Sequence, residues 1–303
     1  MARYALVLVL CLGTPVSAGV WGQATGGGAG IRFVDIDGRR VRVRTLGAES
    51  SSQGTLVVFE AGASNSLGVW DRVLPEVAAF APTLAYDRAG LGESEWDDQA
   101  PTPQHVADRL RRVLASTGAK PPYVLVGYSW GGILIRYFAG LHPSEVAGLV
   151  FVDPAPLVTE SLADNLAPFE AVGAGRTGYD AYWSRFRALL ENAAPPVRAE
   201  FDVFRGLMEA DMDRKNLRPL PAVPVVVIVA AKYLPLPALQ LPFDASAHFD
   251  ADVRQRSRIL QEWALASPRG TLVVSNHATH LVPREDPALI TWAVRRVLDQ
   301  PRP

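Results

Sequence analysis

The sequence predicts an α/β fold: a mainly parallel β-sheet with helices on both faces, entered through a hairpin and interrupted by one helical insertion. Three observations predict it. From residue 55 onward, short β-branched runs alternate with patterns of helical periodicity. In the middle of the chain, a strand pattern ends in Gly127-Tyr128-Ser129-Trp130-Gly131 and passes directly into the helical text I-L-I-R-Y-F-A-G-L. Finally, residues 157–213 read as amphipathic helix lying between two strand patterns.

The elements follow in order. Ile31–Ile36 and Val41–Thr45 alternate around Asp37-Gly38, which signals a hairpin. Thr55–Glu60 is a strand, and Trp70, Val73, Leu74 and Val77 have helical spacing. Thr83–Tyr86 is a strand, and Val106, Leu110, Val113 and Leu114 mark a helix. Tyr123–Val126 leads to Ser129, and Val146–Val152 is the next strand. Asp153-Pro154-Ala155-Pro156 then breaks the alternation. In the insertion, Leu162, Leu166 and Phe169 share one helical face. Tyr182, Phe186, Leu189 and Leu190 share a second, and Phe201, Phe204 and Leu207 a third. Strands return at Pro224–Val229 and Thr271–Val274, and a last helix covers Pro287 to Leu298. His248 reads as part of a charged segment ahead of a helix.

A strand, a tight turn and a helix with serine at the apex make a nucleophile elbow, which lifts a hydroxyl above the carboxyl edge of a sheet. Ser129 is therefore the candidate nucleophile. The Trp130 N–H sits at a helix N-terminus, where it can stabilise a developing oxyanion. A serine hydroxyl needs a base beside it. His280 follows the last strand and is the first choice, with His277 as the alternative. The base needs a carboxylate partner. Asp153 ends the strand after the serine and is the best placed, with Asp244 and Asp250 as the alternatives. The turn Glu60-Ala61-Gly62-Ala63-Ser64-Asn65 would supply the second oxyanion donor through the Ala63 N–H. Asp87 and Arg88, in Asp87-Arg88-Ala89-Gly90-Leu91-Gly92-Glu93-Ser94, read as support for the site rather than reacting groups.

The 303-residue chain is 49% hydrophobic and 20% charged, an ordinary globular composition. Its net charge of −1 gives no footprint for nucleic acid. At the start, Arg3, the apolar run Ala5 to Leu12 and the small-residue site Val16-Ser17-Ala18 have the three parts of a secretory signal peptide. The run is too short to span a bilayer comfortably, so the mature chain is expected to have no membrane span. Residues 1–18 are read as the signal and 19–30 as a flexible Gly-rich lead, placing the protein outside the cell or in a periplasm. The single cysteine, Cys11, lies within the signal, which leaves no disulfide and no thiol nucleophile. No second cluster joins His277 and His280 to form a metal site, so no metal is expected.

Together the G-Y-S-W-G elbow, the D-R-A-G-L-G-E-S loop and the late His280 resemble the α/β-hydrolase superfamily over about residues 31–153 and 222–300. The resemblance implies an eight-stranded, mostly parallel sheet, built from residues 31–154 and 221–303, with a helical cap at 155–220. It implies the order nucleophile, acid, histidine, met here by Ser129, Asp153 and His280. It further implies acyl transfer on a small apolar ester, with no cofactor, through Ala63 and Trp130 as the oxyanion hole. The chain departs from the family twice. Ala61-Gly62, preceded by Glu60, stands where many members have His-Gly. The strand Pro224–Val229 has no acid close behind it, where many members carry one. Relatives that use an aspartate nucleophile, the haloalkane dehalogenases and epoxide hydrolases, are disfavoured by Ser129. A peptidase, a lactonase, a C–C bond hydrolase or a ligand-binding member that does not turn over are the other readings.

Overall fold

The computed structural model describes residues 30–47, 54–155, 162–209, 217–235 and 237–300. The predicted signal peptide and residues 19–29 of the lead lie outside the described residues.

Eight strands form one sheet. They are β1 (Ile31–Ile36), β2 (Arg39–Leu46), β3 (Val57–Glu60), β4 (Thr83–Tyr86), β5 (Tyr123–Tyr128), β6 (Val146–Val152), β7 (Val225–Ala230) and β8 (Gly270–Ser275). Their spatial order is β1-β2-β4-β3-β5-β6-β7-β8. The first two form the predicted hairpin, and both turn residues, Asp37 and Gly38, have positive φ, as a two-residue turn of the favoured hand requires. β2 also pairs antiparallel with β4, and every pair from β4 through β8 is parallel.

The central strands β3, β4, β5 and β7 are buried at every position because both faces of the sheet are covered. In β5, Tyr123 and Leu125 join one cluster, while Val124, Val126 and Tyr128 join the other. The first face is covered by α2 (Pro103–Ser116), α3 (Trp130–Leu141) and α7 (Ala245–Leu265), through residues such as Leu110, Phe138 and Trp263. The opposite face is covered by α1 (Leu74–Ala78) and α9 (Pro287–Leu298), through Leu74, Ile290 and Val294. The short helix α8 (Val282–Glu285) links β8 to α9.

Between β6 and β7 lie α4 (Leu162–Glu170), α5 (Gly175–Leu190) and α6 (Pro195–Glu209). Their aromatic residues Phe169, Tyr179, Tyr182, Trp183, Phe186, Phe201 and Phe204 are all buried in the cluster that covers the first face of the sheet. Phe204 meets Trp130 edge-on, with ring centroids 5.6 Å apart. Burying each such side chain contributes about 1.5–3 kcal/mol.

Two sequence readings are corrected. The stretch from Trp70 to Val77 is not one helix: a 3-10 turn at Leu67–Trp70 precedes α1, and Pro75 occupies the first turn of α1. His248 does not precede a helix but lies inside α7, because Asp244 caps that helix by accepting the N–H groups of Ser246 and Ala247. Among the described residues, no helix is long and apolar enough to cross a membrane.

Candidate active site

The sheet order decides which loops meet. β5 is central, with β3 on one side and β6 on the other. The turns that follow β3, β5 and β6 therefore adjoin at the carboxyl edge of the sheet, where ligands bind in open α/β folds.

Ser129 sits between β5 and α3 with φ 53° and ψ −117°, a conformation that side chains rarely adopt. Glycines make the turn possible. A Cβ at Gly127 would strike the Gly131 carbonyl, and one at Gly131 would strike the carbonyls of Glu60 and Ala61. The second contact also shows how closely the start of α3 approaches the turn after β3. The backbone of Ser129 is fixed from both directions: its N–H donates to the Val152 carbonyl at 3.0 Å, and its own carbonyl accepts from Gly132 at 3.0 Å. A serine at the N-cap ordinarily accepts a helix N–H. Here it makes no such bond, and its Oγ lies 3.0 Å from His280 Nε2.

His280 is completely buried and stands between two partners. Its Nδ1 is 2.6 Å from Asp153 Oδ2, so Ser129, His280 and Asp153 form one hydrogen-bonded line. The loop carrying His280 is anchored on both sides. Lys232 N–H donates to the Ala278 carbonyl at 3.3 Å, and the Thr279 N–H and hydroxyl both reach the Glu285 carboxylate. Tyr128 packs its ring against the imidazole, with centroids 5.0 Å apart.

Asp153 follows β6 in a positive-φ conformation (43°), with its N–H donated to the Ile228 carbonyl at 2.7 Å. Its Oδ1 accepts the Ala230 N–H at 2.9 Å and an Arg256 N–H at 2.8 Å. The other carboxylates considered from sequence lie elsewhere: Asp244 caps α7 and Asp250 is exposed on it. The alternative base, His277, is exposed, and its backbone N–H bonds Ser275 Oγ. His105 pairs with Asp97 at 2.8 Å.

Arg256 was not legible in the sequence. It is 1% exposed, and besides Asp153 it holds Asp252 through Nε at 2.8 Å. His248, Asp252 and Arg256 recur every fourth residue on α7, and all three are buried, so a polar stripe on this helix points inward. That period of four was the available signal. His248 is enclosed by Phe169 and Phe243, and burial pushes its imidazole down to about 3.

The turn after β3 is held by Arg88, which donates to the carbonyls of Ala61 and Gly62 at 2.7 Å each. Arg88 is paired with Glu60 from β3 and with Glu200 from α6. Tyr86 donates its hydroxyl to Glu60 at 2.5 Å. Burial, outweighing Arg88 and Tyr86, raises the Glu60 carboxyl above its usual range. Ala63, half-buried, lies within this turn. Asp87 accepts the backbone N–H groups of Leu67 and Glu93 at 2.6 and 3.0 Å, which is the supporting role expected of it.

A buried serine–imidazole–carboxylate line beside a braced turn is an arrangement suited to acyl transfer. The alpha/beta hydrolase fold profile matches residues 55–293, and the chain belongs to that family. Among its relatives is a pimeloyl-[acyl-carrier protein] methyl ester esterase of Chromobacterium violaceum, 29% identical over 62% of this chain and 73% of the relative. An esterase of Mycobacterium tuberculosis is 32% identical over 50% of each chain. A solved structure described as a putative lipase of Acinetobacter baumannii shares the fold with a TM-score of 0.62 at 16% identity, over 89% of this chain and 92% of that one. Some curated relatives are matched only in part: the chain spans 41%, 18% and 27% of the length of three of them.

Proposed function

We propose that the protein is a serine hydrolase that cleaves a small apolar carboxylic ester through an acyl-enzyme. The observation that carries this reading is the continuous line from Ser129 Oγ through His280 to Asp153, with separations of 3.0 and 2.6 Å. In the mechanism, His280 Nε2 takes the proton of Ser129 as Oγ attacks the ester carbonyl. Asp153 holds Nδ1–H, fixes the tautomer and stabilises the imidazolium. The N–H groups of Ala63 and Trp130 receive the oxyanion. His280 then returns the proton to the leaving alcohol, and water, activated by the same imidazole, releases the acid. The named esterases among the relatives support an ester over an amide.

The helices α4–α6 serve as a cap over the site, and the aromatic group that meets Trp130 through Phe204 forms one wall of an apolar acyl pocket. Residues 1–18 direct export, which N-terminal sequencing of the protein recovered outside the cytoplasm tests.

The reading is tested with a fluorophosphonate probe and with nitrophenyl esters set against amino-acid amides. Labelling at Ser129 and ester turnover are expected, with Ser129→Ala abolishing both. Faster turnover of amides or lactones replaces the ester assignment. No labelling of the folded protein favours a ligand-binding member.

A further inference from the structure

The turn after β3 is held by a side chain that belongs to the insertion. Glu200 of α6 is 3% exposed and reaches down to accept the Ser64 N–H at 2.8 Å. It also accepts Arg88 Nε at 2.5 Å and Nη2 at 3.1 Å. The other edge of the same guanidinium bonds Glu60 Oε1 and the Ala61 carbonyl, each at 2.7 Å, and Nη2 bonds the Gly62 carbonyl at 2.7 Å. Asn65 N–H adds a 3.1 Å bond to that same carbonyl.

The peptide units set the consequence. A trans peptide is planar, and its C=O and N–H point in opposite directions. The Gly62 carbonyl and the Ala63 N–H are the two ends of one such unit. Holding the carbonyl on Arg88 therefore aims the N–H. The preceding unit is held at the Ala61 carbonyl, and the following one at the Ser64 N–H. Three successive peptide planes are thus fixed by one guanidinium and one carboxylate, in a region where both are sealed from water. A cation on the carbonyl end also draws electron density away from nitrogen, which makes the Ala63 N–H a stronger donor. This matters most when an oxyanion develops, because donors fixed in advance need no reorganisation as the charge appears.

We infer that Arg88 and Glu200 are positioning residues for the oxyanion donor on Ala63, so that α6 supplies part of the catalytic apparatus as well as covering the pocket. The inference rests on the reading of Ser129 as nucleophile and of the Ala63 N–H as oxyanion donor. It accounts for Glu60, the residue just before the Ala61-Gly62 departure from the family pattern, as the one that fixes the inner edge of the guanidinium.

The test uses the full chain and a nitrophenyl butyrate series, with a trifluoromethyl ketone as the probe that forms a tetrahedral oxyanion adduct on serine. Glu200→Gln keeps the shape and removes the charge. It is expected to lower kcat 10- to 100-fold with KM within about twofold, and to weaken ketone binding in parallel with kcat/KM. Arg88→Lys, a cation that cannot span the two carbonyls as a planar fork, is expected to behave the same way. Should Glu200→Gln fail to fold, Glu200→Asp is read by the same criteria, because it withdraws the carboxylate by one methylene. Unchanged kcat in a folded Glu200 variant overturns the inference. So does a loss confined to KM or to the thermal midpoint with ketone affinity intact, which is the signature of a merely structural tie. If the unaltered protein neither turns over esters nor labels at Ser129, the reading of the site falls first. Activity in the unaltered protein with full activity in the Glu200 variants removes only the positioning role.

Discussion

Arg88 and Arg256 are each almost completely enclosed, and each lies between two carboxylates. Around Arg88 these are Glu60 and Glu200, and around Arg256 they are Asp153 and Asp252. The difference is where each assembly ends. The Arg88 group ends on backbone carbonyls, which carry no proton and can only be aimed. The Arg256 group ends on Asp153, which bonds an imidazole that gains and loses a proton during the proposed reaction. In the proposed mechanism, the same three charges therefore govern geometry on one side of Ser129 and basicity on the other. A buried cation between anions has no fixed functional meaning. What it touches last decides it.

The comparison breaks most sharply at Asp153. Asp153→Asn is expected to lower kcat by about 10^4, because the amide no longer fixes the imidazole tautomer or stabilises its cation. Asp244→Asn, which keeps a side-chain oxygen to cap α7, should leave both kcat and the urea unfolding free energy nearly unchanged. The reverse pattern would move the acid to Asp244.

The next effect separates the two arginines. Arg256→Met combined with Asp252→Asn removes the cation from Asp153 together with the Asp252 charge it balances. The full carboxylate charge then bears on His280 and favours its protonated form. The acidic limb of kcat/KM should move to higher pH by about one unit. Substitution at Arg88 should instead lower the whole profile and leave its limbs in place. Equal limb positions in both variants would erase the distinction. Arg256→Met alone is expected to cost about 3–5 kcal/mol, since Asp252 stays buried without its arginine.

A smaller effect comes from His248, at the outer end of the α7 stripe and one turn from Asp252. Its folded-state pKa, about 3, lies below the ordinary imidazole value of 6.5. Its contribution to stability is complete above pH 6.5 and is lost as pH falls toward 3. Between pH 6.5 and 5 the loss is about 2 kcal/mol. His248→Leu should flatten that slope in denaturant unfolding at the two pH values.

The parts of this site that were legible in the sequence share one property: each follows a strand. Ser129, Asp153 and His280 could be placed because apolar runs announce strands, and the residue after a parallel strand lies on the functional edge. The strand order then made Asp153 a neighbour of Ser129. Glu200 and Arg256 carried no such signal. Each sits on a helix among ordinary surface charges, and only tertiary packing turns it inward. In α7 the difficulty was compounded, because Phe249, Ile259, Leu260 and Trp263 alternate with so many charges that the first turns read as a polar segment. Glu60 was noticed only as the residue before the Ala61-Gly62 departure, and its meaning appeared once Arg88 stood beside it. The proposed signal peptide lies outside the described residues.

The backbone at Ser129, with its φ of 53°, has a practical consequence for anyone selecting a hardier protein. Glycine adopts that conformation without penalty, so Ser129→Gly should raise the unfolding free energy by about 1 kcal/mol. A screen scored on heat resistance alone would therefore reward the loss of the hydroxyl proposed as the nucleophile, and sturdy clones from it should be checked for turnover before they are kept.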